Sequence, residues 1–296
     1  MRSSIRWISS RFDALLGARF RLHPLFVLLL LLAAATGRFL EIVTLFSIVL
    51  IHELGHAAAA RVYGWRMREV MLTPFGGVVA VDEDGAVPAR EEAVVLLAGP
   101  AMNAAMIGFA AAMEAAGVWS HAWSRYFSEA NLALLAFNML PILPLDGGKL
   151  LRIGIGLAAP WYRALKWAAY ASIPASVLLT AAGAARFGAH SFAASAAVAG
   201  AFLIYANGYE LRVVPFRFAR FLLGRAARVR EWSRRGARAR PLLVSPDERW
   251  SAVARRLLRE RLHRFIVATS DGKVLAVLPE ERCAGRYAPG EKDRAV

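Results

Sequence analysis

A single cysteine, Cys283, in 296 residues excludes an internal disulfide and a cysteine-rich metal site. Acidic residues are scarce: 22 Asp and Glu stand against 37 Lys and Arg, which leaves a net charge of +15. Charged residues of both signs make only 20% of the chain, while 57% is hydrophobic and the mean hydropathy is +0.42. That balance excludes an ordinary soluble domain of this length. No repeat of solenoid period is present, and no low-complexity tract apart from one arginine-rich stretch.

What is there is a series of apolar stretches near the roughly 20 residues that cross a bilayer as a helix. Six spans are expected, near 22–37, 41–61, 91–117, 129–145, 161–184 and 188–208. The first reads as a span rather than a cleaved leader, because its basic flank is long and cleavage would spoil the charge alternation along the chain. Positive charge gathers on one set of flanks: Arg2, Arg6, Arg11, Arg19 and Arg21; then Arg61, Arg66, Arg68 and Arg90; then Lys149, Arg152 and Arg163. The opposite loops hold only Arg38, Arg125 and Arg186. Both termini are therefore expected in the cytoplasm.

The segment from Arg212 to Arg240 carries ten arginines. Directly after a span, such a segment is expected to form a juxtamembrane basic helix that meets anionic lipid headgroups. No nucleic-acid partner is needed to explain the charge.

Polar residues inside the second span carry the chemistry. In "LIHELGHAAAA", residues 50–60, His52 and His56 stand four apart, so a helix presents both imidazoles on one face to a single cation. Glu53, one residue past the first histidine, can reach a water at that cation without being a ligand. This is the H-E-x-x-H arrangement, in which zinc acidifies water and the glutamate takes its proton. Ionisable groups inside a membrane helix are costly and mark function. The small residues Gly55 and Ala57 to Ala60 allow close helix packing.

A catalytic zinc needs a third protein ligand. "FNMLPILPLDGGKLLR", residues 137–152, offers Asp146 behind Pro141 and Pro144 and ahead of Gly147 and Gly148. Such a Pro-Gly break can aim a carboxylate into a cavity; the alternative is that Asp146 only caps the next helix. His52 lies about 13 Å along a helix from Arg61, below the surface and nearer the cytoplasm.

"HELGH", "AGPAMN" at 98–103 and "NMLPILPLDGG" at 138–148 together resemble the site-2 protease family of intramembrane zinc metalloproteases, over roughly residues 20–208. The resemblance implies zinc on His52, His56 and Asp146, water activation by Glu53, and packing of Gly99, Pro100 and Asn103 near the site. Leu143 stands where many relatives have a second proline. The short spacing leaves no room for a PDZ domain. With "LHPLF" at 22–26 and "TPFGG" at 73–77, this is most similar to the sporulation branch of the family. That branch implies a membrane-associated sigma-factor precursor, pro-sigma-K, as substrate, inhibitory membrane proteins as partners, and the membrane surrounding the forespore as location.

"LTPFGGVVAVDEDG", residues 72–85, reads as a small hairpin whose edge could align an unwound substrate, with Phe75 and Gly76 at its turn. Asn103 and Asn138 are amide donors in apolar spans. They are expected either to steady the oxyanion or substrate backbone, or only to bond neighbouring helices. His23, His121, His190 and His263 are assigned to no metal.

From Pro241 the pattern becomes strand, helix, strand, strand: "PLLV", "DERWSAVARRLLRERL" with Val253, Leu257, Leu258 and Leu262 at helical spacing, "RFIVAT", and "VLAVL" after a "SDGK" turn. This small α+β domain resembles a single cystathionine-β-synthase (CBS) motif, which implies ATP binding and pairing between chains. A structural cap is the plainer reading. The expected organisation is a basic cytoplasmic segment over 1–21, a transmembrane metalloprotease domain over 22–208, an arginine-rich linker over 209–240, and the CBS-like cytoplasmic domain over 241–296. Two other function classes fit parts of the pattern, a zinc transporter or sensor and a silent membrane scaffold. Neither gives Glu53 a duty.

Overall fold

The structure is a computed structural model that describes residues 19–22, 39–65, 67–73, 76–81, 87–185 and 191–283. The expected first span, 22–37, lies outside the described residues except for Leu22. The elements in chain order are β1 (Arg19–Leu22), α1 (Phe39–Val62), β2 (Met67–Thr73), β3 (Gly76–Val81), α2 (Ala89–Ala115), α3 (His121–Asn138), α4 (Asp146–Ala158), α5 (Trp161–Ala185), α6 (Ser191–Arg234), β4 (Ala239–Val244), α7 (Trp250–Ala254), β5 (Leu262–Ala268), β6 (Val274–Pro279) and α8 (Glu280–Cys283).

They divide into two compact units, one made of residues 1–82 and 91–140, the other of 83–90 and 141–296. Among the described residues α1, α2 and α5 are long and apolar enough to cross a membrane. The expected span at 129–145 is instead α3, which stops at Asn138. Prolines at 141 and 144 withhold two amide donors within four residues and disfavour helical backbone just before each, which favours the helix ending ahead of them. The expected span at 188–208 is the first half of a 44-residue helix, α6, which continues through the arginine-rich stretch to Arg234.

In the first unit α1 places Glu41 in its first turn and Arg61 in its last, each favourable to the helix dipole. It ends at Gly64, whose φ of 72° lets the chain turn left-handed while the Trp65 amide donates back to the Ala60 carbonyl at 2.9 Å. The hairpin expected over 72–85 is present but begins earlier in the chain: β2 and β3 pair antiparallel from Met67↔Val81 to Thr73↔Gly76. β1 adds to β2 in parallel, giving a sheet of order β1-β2-β3. Ser120 caps α3 by accepting from the Trp123 amide at 3.3 Å.

In the second unit the non-helical stretch before α4 is satisfied by protein. The Leu143 amide donates to Ser172 Oγ (2.9 Å), and Asn207 Nδ2 donates to the Leu143 carbonyl (2.6 Å). Broken backbone at membrane depth is tolerated where protein supplies such partners. Gly148 is required here, since a Cβ would fall 2.5 Å from the Ile142 carbonyl oxygen.

The tail is built into one core with two long helices. Trp161 and Leu165 of α5, Val214, Phe218 and Phe221 of α6, and Val244, Trp250, Val253, Leu257 and Phe265 are buried together. β4 pairs parallel with β5, and β5 antiparallel with β6. The helix read over 247–262 is only Trp250–Ala254. Beyond it the carbonyls have tertiary work: Leu257 accepts from the Trp161 amide (3.0 Å), and Leu258 and Arg261 accept from the Arg225 guanidinium (2.8 and 2.6 Å). A continued helix would have spent those carbonyls internally.

Candidate metal centre

The site is assembled on α1 and α2. His52, Glu53 and His56 are 2%, 9% and 8% exposed. The i, i+4 spacing brings the two rings to 4.7 Å between centroids, almost perpendicular at 84°. Gly55 and Gly99 allow this closeness. A Cβ on Gly55 would stand 2.8 Å from the Ala98 carbonyl oxygen, and one on Gly99 would fall on both imidazoles, 2.7 Å from His52 Nε2.

Each ring is held from behind. His52 Nδ1 donates to Asn103 Oδ1 at 2.5 Å, and His56 Nδ1 donates to the Val95 carbonyl at 2.7 Å. A carbonyl can only accept, so the proton of each imidazole sits on Nδ1 and each Nε2 keeps its lone pair. The Asn103 orientation is fixed in turn, because its Nδ2 donates to Asn131 Oδ1 (3.0 Å), and Asn131 Nδ2 donates to the Phe127 carbonyl (2.9 Å). Asn103 and Asn131 are fully buried.

The two Nε2 atoms then face each other at 3.1 Å. Two lone pairs converging in a buried place repel, and a cation between them would relieve this. Tetrahedral zinc at about 2.0–2.1 Å from each nitrogen would hold them about 3.3 Å apart. The donor set therefore fits zinc, and the outer hydrogen bonds are of the kind that orient zinc-bound histidines.

Asp146, the third ligand expected from the sequence, belongs to the second unit. Asp146 is 5% exposed and opens α4. The cap position belongs to Leu145 and carries no side-chain hydrogen bond, so Asp146 is not spent as a helix cap. Lys149 Nζ donates to Asp146 Oδ1 at 3.2 Å. Asn138 is half-buried at the end of α3, and Gly76 opens β3; Phe75 lies outside the described residues.

Two features escaped the sequence reading. The first is Asn131, whose signal was only that it, like Asn103, is an asparagine in an apolar helix. The second is His263, which was left aside as a tail residue. It is 2% exposed, within 3.0 Å of Arg225 through Nδ1, and its amide donates to Glu280 Oε2 at 2.7 Å.

The fold and the residues of the site are similar to those of known metalloproteases. Residues 40–117 match peptidase family M50, a stretch that contains α1 with both histidines and the glutamate, the hairpin and α2. The resemblance drawn from the sequence motifs is thereby borne out. The chain is similar to the stage IV sporulation protein FB of Bacillus subtilis, 41% identical over 148 residues, which are 49% of this chain and 51% of that protein. It is also similar to a zinc metalloprotease of Methanocaldococcus jannaschii, 29% identical over 49% of this chain and 44% of that one. The chain thus spans about half the length of these relatives. Its fold is similar to that of the solved site-2 protease from Methanocaldococcus jannaschii, with a TM-score of 0.52 and 24% identity over 66% of this chain and 91% of that one.

Proposed function

We propose that the chain is an intramembrane zinc metalloendopeptidase in which His52, His56 and Asp146 hold the metal and Glu53 moves the proton. One observation carries the reading: two buried imidazoles with their protons fixed on Nδ1 turn both Nε2 lone pairs toward one point. Bound zinc supplies Lewis acidity to the attacking water and to the scissile carbonyl. Glu53, beside His52 on α1 and largely shielded from solvent, takes the proton of that water and returns it to the leaving amide nitrogen. The buried surroundings exclude bulk water and strengthen each of these charge interactions.

The substrate proposed is a membrane-associated protein of the pro-sigma-K kind, supported by the 41% identity to the sporulation protein across half the chain. A helical substrate hides its amides and must unwind before cleavage. β3 is an edge strand of its sheet and offers a line of backbone partners for the unwound segment. Phe75, Gly76 and Asn138 are assigned to positioning that segment or the oxyanion, while Asn103, fully buried behind His52, takes the alternative role of bonding neighbouring helices. By the same reading the protein is multi-pass with both termini in the cytoplasm, sits in the membrane around the forespore, and is restrained by inhibitory membrane proteins. Its tail acts as a CBS-like module that takes ATP or pairs chains.

The test is co-expression with a tagged pro-sigma-K-like substrate. Glu53→Gln is expected to lose cleavage by about 10²–10⁴-fold while keeping its zinc. A variant that cut at the wild-type rate would remove Glu53 from the chemistry and favour a transporter or sensor.

A further inference from the structure

Away from the histidines, the second unit holds a cavity of about 430 Å³ between the first turns of α5 and the segment that carries α7. Its cations are Arg163 and Lys166 from α5, and Arg255 and Arg256 from just beyond α7. The carboxylate in its lining, Glu248, is occupied by Arg256 Nη1 at 3.2 and 3.3 Å, while Arg256 Nη2 donates to the Leu243 carbonyl at 2.8 Å. Arg163, Lys166 and Arg255 have no carboxylate partner among the described residues. Arg255 and Lys166 instead converge on one ring: Arg255 Cζ lies 5.0 Å and Lys166 Nζ 5.2 Å from the Tyr162 centroid. Tyr162 is anchored edge-on to Phe218 at 5.1 Å, so the ring is fixed to the core and the two cations are gathered around a rigid support.

Like charges drawn together without a counter-charge repel, and an anion among them would relieve this. The surroundings say which kind. α5 is long and apolar enough to cross a membrane, and the cavity lies at its start. Trp167 and Tyr170, also in the lining, are 49% and 54% exposed. Such half-wet aromatic rings at the end of a spanning helix settle at the headgroup level of a bilayer. Cations, interfacial rings and a cavity therefore coincide where a lipid phosphate would be.

We propose that this cavity binds the phosphate headgroup of an anionic phospholipid, bridging α5 to the tail through Arg163, Lys166 and Arg255. The site is separate from the arginine-rich stretch of α6 and does not depend on the metal centre. It would make the seating of the tail sensitive to the charge of the surrounding membrane.

The test is native mass spectrometry of the purified full chain released from detergent, counting bound phosphatidylglycerol against phosphatidylcholine. Wild type is expected to retain phosphatidylglycerol selectively. The double variant Arg163→Gln/Arg255→Gln is expected to bind it about 25-fold more weakly, at roughly fivefold per basic residue near an anionic surface. Both side chains are exposed, so the change leaves the core intact. Arg264→Gln/Lys273→Gln, on exposed basic residues outside both the cavity and the arginine-rich stretch, is expected to bind as wild type does. Equal phosphatidylglycerol binding by wild type and the first double variant would overturn the proposal, as would an equal loss in both double variants. Displacement of the lipid by inorganic phosphate at similar concentration would also overturn it, marking a site for soluble phosphate.

Discussion

Two buried polar clusters, one in each unit, show opposite ways of keeping ionisable groups out of water. Around His52 and His56, hydrogen bonds donated by the outer ring nitrogens to Asn103 and Val95 turn both inner ones toward each other. Around Arg225, which is fully buried, the donors are met by acceptors: Nε and Nη2 by Glu280 at 2.5 and 3.2 Å, Nη1 by the Leu258 carbonyl, and Nη2 also by the Arg261 carbonyl. The second cluster closes on itself and fastens the tail to α6. The first turns two ring nitrogens toward one point, which suits a binding centre, whereas a structural network pairs each donor with an acceptor.

Breaking the closed cluster is expected to give the largest effect on stability. Arg225→Met leaves Glu280 buried beside His263 without its cation, at a cost of about 3–5 kcal/mol. Thermal unfolding or limited proteolysis of the tail would register it, with zinc content unchanged. Opening the histidine cluster from behind has a smaller effect of another kind. Asn103→Leu frees the His52 ring to change tautomer, and zinc affinity is expected to fall about 10–100-fold in chelator competition, with a loss of stability smaller than that of Arg225→Met. Asn131→Leu acts one bond further out, and its expected loss of affinity is below about tenfold in the same assay. A ranking in which Arg225→Met lowered zinc affinity more than Asn103→Leu would erase the distinction between the two clusters.

How much of this was legible in the sequence differs in the same way. The histidine pair was legible because i, i+4 spacing fixes which side chains share a helix face, whatever the rest of the fold does. The hairpin of β2 and β3 was legible from the turn residues between two β-branched runs. Arg225 was not, being one of ten arginines in its stretch; nothing local separates it from neighbours that face solvent. The tail helix was overextended because Val253, Leu257, Leu258 and Leu262 keep helical spacing, yet tertiary partners claim the carbonyls from Leu257 onward. α3 was placed too far along the chain, because hydropathy persists past Asn138 while the helix ends there ahead of the prolines. The steric demand on Gly99 and Gly148 was also hidden, since it arises from atoms distant in the sequence or across a chain reversal.

The most direct measurement is the zinc content of the purified chain, wild type beside His52→Ala and His56→Ala. One zinc per chain in wild type, and loss of zinc from both variants with the fold retained, is the result expected from the converging nitrogens. A chain that held one zinc with both histidines replaced would contradict the account at its centre.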